Sequence, residues 1–159
     1  IIASTLIIFG LILGFADRIG RREKELSTLS VRDGILYGLA QSLALVPGVS
    51  RSGATIALGR FLGYKREAAL RYSFLLALPA VFGSGLYELK QAMSDSMVTI
   101  YTMSEILLAT VTAFVIGYAV IAWLMKFIAT KSFTPFVIYR VALGSALLVA
   151  LATGLISAQ

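Results

Sequence analysis

Four stretches of this sequence, residues 1–16, 72–89, 103–127 and 135–156, run almost without charge. About 20 apolar residues span a bilayer as a helix. In lipid every backbone polar group must pair inside its own element, which leaves helices or closed barrels. Runs this long and this continuous are helical, because a barrel strand alternates its sides every second residue. Hydrophobic residues make up 58% of the 159, and the mean hydropathy is +0.89. Soluble domains sit near half, with glycine counted in. The expected fold class is all-α: a polytopic membrane protein with no soluble domain.

Composition then removes several kinds of chemistry. The chain has no cysteine, so disulfides and thiol catalysis are excluded. It has no histidine, which removes the commonest general base and a common metal ligand. The formal net charge of +6 is scattered among short loops, so it concerns topology and not nucleic acid. The chain starts Ile1-Ile2-Ala3 with no charged segment ahead of an apolar core, so no signal peptide is visible. The first helix looks entered midway, and a fragment lacking its upstream part is expected.

Between the first two apolar runs lies a polar loop over 17–30, then a helical segment over 31–62 interrupted at PGVSRSGAT, residues 47–55. Ser30 is a candidate N-cap, with Asp33 in the first turn. Pro79 is expected to kink the 72–89 helix, and Pro135 suits a first helical position. Charge decides how 31–62 runs. If it crosses once, the basic residues of 18–32 and those at Arg60, Lys65, Arg66 and Arg71 fall on opposite sides, against the positive-inside bias. If it enters and returns, both clusters lie on the cytoplasmic side. The 90–102 loop then falls outside, the Lys126/Lys131 turn inside, and the cation-free C-terminal end outside. The second scheme satisfies the rule at every loop, so a re-entrant helical hairpin is expected. Snorkelling of Arg60 and Arg71 from helix ends is the argument for the first.

Irregular backbone at membrane depth is tolerated where it is buried in protein or lines a wet cavity. Pro47 and Gly48 stop the incoming helix. Ser50 or Ser52 can cap the outgoing one, whose free N–H groups and dipole favour an anion. Arg51 adds a planar cation suited to phosphate. Gly53 permits close backbone approach, and Thr55 can aim a hydroxyl at the same point. A bland reading has the serines only capping and Arg51 paired with carbonyls or a carboxylate. For Arg51 the functional reading is the stronger, because a charge at that depth costs about 2.5–3.5 kcal/mol. No acidic residue lies between Asp33 and Glu67 to partner it. Gln41 can face the same cavity or bond a neighbouring helix. Arg66 and Glu67 read as a solvated helix start, and Trp123 with the tyrosines as interface anchors.

The run QSLALVPGVSRSGAT, residues 41–55, resembles the signature of the bacterial undecaprenyl-diphosphate phosphatases of the bacitracin-resistance type. SFLLALP (73–79) and SFTPFVIYR (132–140) are similar to that family too, so the resemblance covers nearly the whole chain in order. It implies an inverted-repeat membrane fold, of which this chain would be the C-terminal half. It implies hydrolysis of a polyprenyl diphosphate to the monophosphate at the bacterial inner membrane, recycling the carrier for peptidoglycan. Arg51 would be the essential arginine, with Ser50, Ser52 and Thr55 as catalytic hydroxyls and Gly48, Gly53 and Gln41 contacting substrate. A divalent cation, magnesium or calcium, is implied, its ligands lying in an acidic motif absent from this sequence. Gln41 stands where that motif would have a glutamate, so the chain alone is expected to be inactive. Membrane lipid and a second copy of the chain are the other expected partners, and nucleic acid is not one.

Two rivals remain at this level. The absence of histidine in this chain argues strongly against one, the lipid phosphatases that form a phospho-histidine. An anion channel or transporter also points half-helix N-termini at anions, and the residues alone do not separate it from a hydrolase.

Overall fold

The computed structural model describes residues 1–93 and 102–155. Most of the expected 90–102 loop and the expected end of the last helix at Ile156 lie outside the described residues. Among the described residues the regular structure is helical: α1 (Ile2–Ile19), α2 (Val31–Ser42), α3 (Arg51–Phe61), α4 (Arg66–Met93), α5 (Met103–Thr130) and α6 (Thr134–Ala152). Short 3₁₀ turns, Leu26–Thr28 and Leu43–Leu45, precede and follow α2. α1, α4, α5 and α6 are each long and apolar enough to cross a bilayer. Their outward faces are apolar: Phe15, Phe82, Leu86, Phe114 and Ile116 are all more than half exposed. Water would not tolerate so much contiguous apolar surface, and lipid does, so the chain is a multi-pass membrane protein.

α1 is the central strut, packed on α6 along one side and on α3 along another. Small residues bring α1 and α6 together. A Cβ on Gly144 would lie 2.7 Å from Ile7 Cγ1 and 2.8 Å from the Ala3 carbonyl. In lipid such close packing takes the place of the hydrophobic drive. α3 also packs on α2 and on α4. The apolar core lies at one end, where Leu13, Tyr37, Ile56, Leu70, Ile128 and Phe133 meet.

α2 and α3 form a hairpin whose two open ends coincide. Ser30 caps α2, its Oγ accepting from the Asp33 N–H at 3.1 Å. The Tyr64 hydroxyl, just past α3, donates to Asp33 Oδ2 at 2.6 Å. Lys24 Nζ donates to the same oxygen at 3.3 Å, and Lys65 Nζ to Glu25 Oε1 at 2.5 Å. The segment ahead of α2 and the segment after α3 therefore meet at one end of the hairpin, each bringing basic residues to it. The Tyr64 hydrogen bond, helped by Lys24, holds the Asp33 carboxyl below its ordinary range against the effect of burial. Burial, and then the Asp33 carboxylate, push the Tyr64 phenol up to about 12. Lys65 holds the exposed Glu25 carboxyl low by hydrogen bond and charge.

Beside this junction Arg60 is fully buried and does not snorkel. Its guanidinium donates to the carbonyls of Gly20 at 2.7 Å, Arg21 at 3.2 Å and Asp17 at 3.3 Å, and to that of Tyr64. Arg60 Nε lies 3.3 Å from Asp17 Oδ1, an ion pair without hydrogen-bond alignment. Arg66 grips the same carboxylate with two bonds, 2.6 and 2.8 Å, and the Phe133 N–H reaches it at 3.3 Å. Arg66 is thus a structural ion-pair partner and not the solvated helix start expected. These pairings explain why α1 runs on to Ile19, past residue 16, and why α4 begins at Arg66, ahead of residue 72. Charged residues that read as loop become helical once they have partners.

α5 starts with a reciprocal cap: the Glu105 N–H donates to Thr102 Oγ1, and the Thr102 N–H donates to Glu105 Oε2 at 2.7 Å. Pro79 lies inside α4 without ending it. α6 closes in a turn with Gly154 at φ 73°.

Candidate functional site at the hairpin tip

The tip, residues 46–50, lies against the first turns of α1 and the middle of α6. Two residues hold positive φ there: Gly48 at 90° and Ser50 at 67°. Gly48 is required twice over, since a Cβ would also lie 2.7 Å from the Ile2 carbonyl. Ser50 is the only non-glycine residue with positive φ among the described residues. Strained backbone of this kind persists where surroundings over-determine it, and it concentrates at functional sites. Three contacts do so here. Thr5 Oγ1 donates to the Pro47 carbonyl at 2.7 Å. Arg140 Nη2 donates to the carbonyls of Gly48 at 2.8 Å and Val49 at 3.0 Å.

Ser50 caps α3, accepting from the Gly53 N–H at 3.2 Å. Ser52 Oγ is 3.5 Å from Ser50 Oγ. The Ala54 N–H reaches the Ser50 carbonyl at 3.0 Å. The N–H groups of Arg51 and Ser52 have no partner among the described residues. They stand free at the positive end of the α3 dipole, the arrangement that binds anions. The Arg51 guanidinium is half-buried and likewise makes no hydrogen bond or ion pair among the described residues.

A cavity of about 340 Å³ opens beside the tip, its wall including Ser50, Ser52, Gly53 and Arg140. Apart from Tyr139 the rest of the wall is apolar, among it Leu6, Ile56, Leu70, Phe74, Leu124 and Phe136. No acidic residue lines it. The cavity thus pairs a cationic, hydroxyl-bearing end with a greasy wall.

The structure brings some expected site residues together and separates others. Ser50, Ser52 and Gly53 share the cavity, and Gly48 shapes the tip. Arg51 and Thr55, one turn apart, share another face of α3. The Thr55 hydroxyl is fully buried and bonds Ser73 Oγ at 2.6 Å and the carbonyls of Arg51 at 3.0 Å and Ser52 at 3.2 Å. It braces the first turn instead of facing the cavity. Gln41 lies on α2 one turn beyond Tyr37, outside the cavity wall, and its amide oxygen is buried without a partner among the described residues. Arg140 was missed as a site residue. A lone cation inside the apolar 135–156 run is the signal, the same one that singles out Arg51.

Around the tip the donors are guanidinium, hydroxyl and amide groups, which hold anions. No group of three histidine, cysteine, aspartate or glutamate side chains able to hold a metal occurs among the described residues. These residues offer no ligand set for the magnesium or calcium that the resemblance implies, whose ligands are expected outside this sequence.

The family profile described as bacitracin resistance protein BacA matches residues 1–146. A curated protein of Micrococcus luteus named undecaprenyl-diphosphatase is 59% identical over 159 residues, covering 99% of this chain and 57% of that protein. One of the same name from Nocardioides sp. is 56% identical over 158 residues, again 99% and 57%. Undecaprenyl-diphosphatase 2 of Streptomyces coelicolor is 54% identical over 169 residues, with the same shares covered. The chain therefore spans little more than half the length of these relatives. Along that span the match takes in the strained tip, the Arg51 face and the α6 clamp, and the chain belongs to the bacitracin resistance protein BacA family.

Proposed function

We propose that this chain provides the phosphate-holding part of a lipid-diphosphate hydrolase. Water would attack phosphorus and the P–O–P bridge would break. Undecaprenyl diphosphate would become undecaprenyl phosphate, with inorganic phosphate released. That reaction returns the lipid carrier to peptidoglycan synthesis in the bacterial inner membrane and underlies bacitracin resistance. The observation that carries the reading is the start of α3, where two free N–H groups and the unpartnered Arg51 adjoin Ser50 and Ser52 on the wall of an apolar cavity. A diphosphate on a polyprenyl chain has the matching halves, an anion and a long apolar tail. In this reading the α2–α3 hairpin is re-entrant, with its tip inside the bilayer.

Arg51 holds the diphosphate by its planar fork and stabilises charge as the bridge breaks. Ser50 and Ser52 donate hydroxyl hydrogens to phosphate oxygens. Gly48 and Gly53 let the backbone approach, and Gln41 offers a carboxamide from α2. Thr55 steadies the first turn of α3 through the Arg51 and Ser52 carbonyls. The acid–base partners, and ligands for any divalent cation, come from outside the described residues.

The test is phosphate release from a polyprenyl diphosphate by the full-length protein. Arg51→Ala should lower turnover by about 10²–10³-fold or more, with expression intact. Arg51→Lys should recover little, because a point charge lacks the fork. Near-normal turnover by Arg51→Ala would remove it from the site. Anion flux across vesicles with no hydrolysis by the wild type would replace the hydrolase with a transporter.

A further inference from the structure

Arg140 is 7% exposed and sits inside a 19-residue apolar helix. Among the described residues it has no carboxylate partner. Its Nη2 bonds two tip carbonyls, and its Nε lies 3.5 Å from the Leu6 carbonyl. Carbonyl dipoles orient a guanidinium but do not neutralise it. Its Nη1 has no hydrogen-bond partner among the described residues. That nitrogen lies over Gly53: a Cβ built there would stand 2.9 Å from Nη1 and 3.3 Å from Ser50 Oγ. Nη1 and the Ser50 hydroxyl thus flank one spot at the start of α3, on the wall of the cavity. A clamp alone needs only the Nη2 bonds, which an uncharged amide could make. A full charge held in an apolar helix, with one donor nitrogen left over, calls for an anion.

We propose that Arg140 is a second phosphate-holding residue, which clamps the tip through Nη2 and meets a phosphate oxygen of the diphosphate through Nη1. The proposal rests on the hydrolase reading above and extends it. It makes the anion site two-sided, with Arg51 on one face of α3 and Arg140 on the other. It also gives Gly53 a reason beyond backbone approach, because any side chain there would displace Nη1.

The experiment uses the full-length protein in detergent, with inorganic pyrophosphate as a competitive probe. Arg140→Gln should raise the inhibition constant for pyrophosphate and the KM for the lipid diphosphate about ten- to hundredfold, as loss of a charge-assisted hydrogen bond implies. Arg140→Lys should fall between it and the wild type. A fall in kcat with the pyrophosphate constant unchanged would make Arg140 a clamp only and overturn the proposal. If Arg140→Gln fails to fold, Gly53→Ala keeps the arginine but displaces Nη1. The same rise is expected, and an unchanged constant overturns the proposal. A wild type that neither hydrolyses the lipid nor is inhibited by pyrophosphate would sink the hydrolase reading itself. Wild-type activity with unaltered inhibition in the variants would sink only Arg140's role.

Discussion

Replacing Ser50 by glycine and by alanine should separate what the residue does for the fold from what it does for the substrate. Ser50 holds φ 67° and ψ 115°. A non-glycine residue in so sparse a region costs about 1–3 kcal/mol. Its hydroxyl offsets part of this by capping α3 through the 3.2 Å bond from the Gly53 N–H. Loss of such a cap costs about 0.5–2 kcal/mol to alanine and a few tenths to glycine. Alanine keeps the strain and loses the cap, so Ser50→Ala should be less stable than wild type by about 1 kcal/mol. Glycine sheds the strain, while its looser unfolded chain costs about 0.5–1 kcal/mol. Ser50→Gly should therefore match or exceed wild type, and the two variants should differ by about 1–3 kcal/mol. At about 2–4 °C per kcal/mol for a chain of this size, thermal unfolding in detergent should separate them by several degrees. Phosphate release should fall in both, by about ten- to hundredfold, because each removes a donor to a charged oxygen. An alanine variant that melts at or above the glycine variant would refute the strained cap. Full turnover in Ser50→Gly would show that the hydroxyl does not touch phosphate.

Two further outcomes test the base of the hairpin. Asp17→Asn leaves buried Arg60 and half-buried Arg66 without their shared carboxylate, so stability should drop by about 3–5 kcal/mol, and an unchanged melting temperature would refute that pairing. Asp33 has a folded pKa below its unfolded one, so its contribution is present above the ordinary carboxylate range and is lost as pH falls through the folded value. Asp33→Asn should therefore melt lower than wild type at pH 7, and the gap should shrink as the pH falls below the ordinary carboxylate range; a gap that does not shrink in acid would refute the assignment.

What could be seen in the sequence was local or additive. A membrane helix announces itself by a run of apolar residues, and a cap by a serine ahead of it, as at Ser30 and Ser50. What stayed hidden was long-range and depended on facing. Arg140 meets carbonyls 91 and 92 positions away. Asp17 collects Arg60, Arg66 and the Phe133 amide from three separate segments. Thr55 was expected at the anion site because it lies one turn from Arg51, and that spacing does place them on one face. Which neighbour the face meets depends on how α3 is rotated against α4, and Ser73 settles it. No spacing rule contains that rotation.

α1 touches the hairpin at both extremes, at Thr5 beside the tip and at Asp17 beside the base. Those two residues are twelve positions apart, about 18 Å along a helix axis at 1.5 Å per residue. α1 is therefore a gauge rod. It sets how far the start of α3 stands from the base of the hairpin. One residue inserted between Thr5 and Asp17 would lengthen the rod by only about 1.5 Å, but would turn one end against the other by about 100°. The two ends could then no longer both be engaged. The length of this helix is thereby tied to the length of α3 as a wrench is to its bolt.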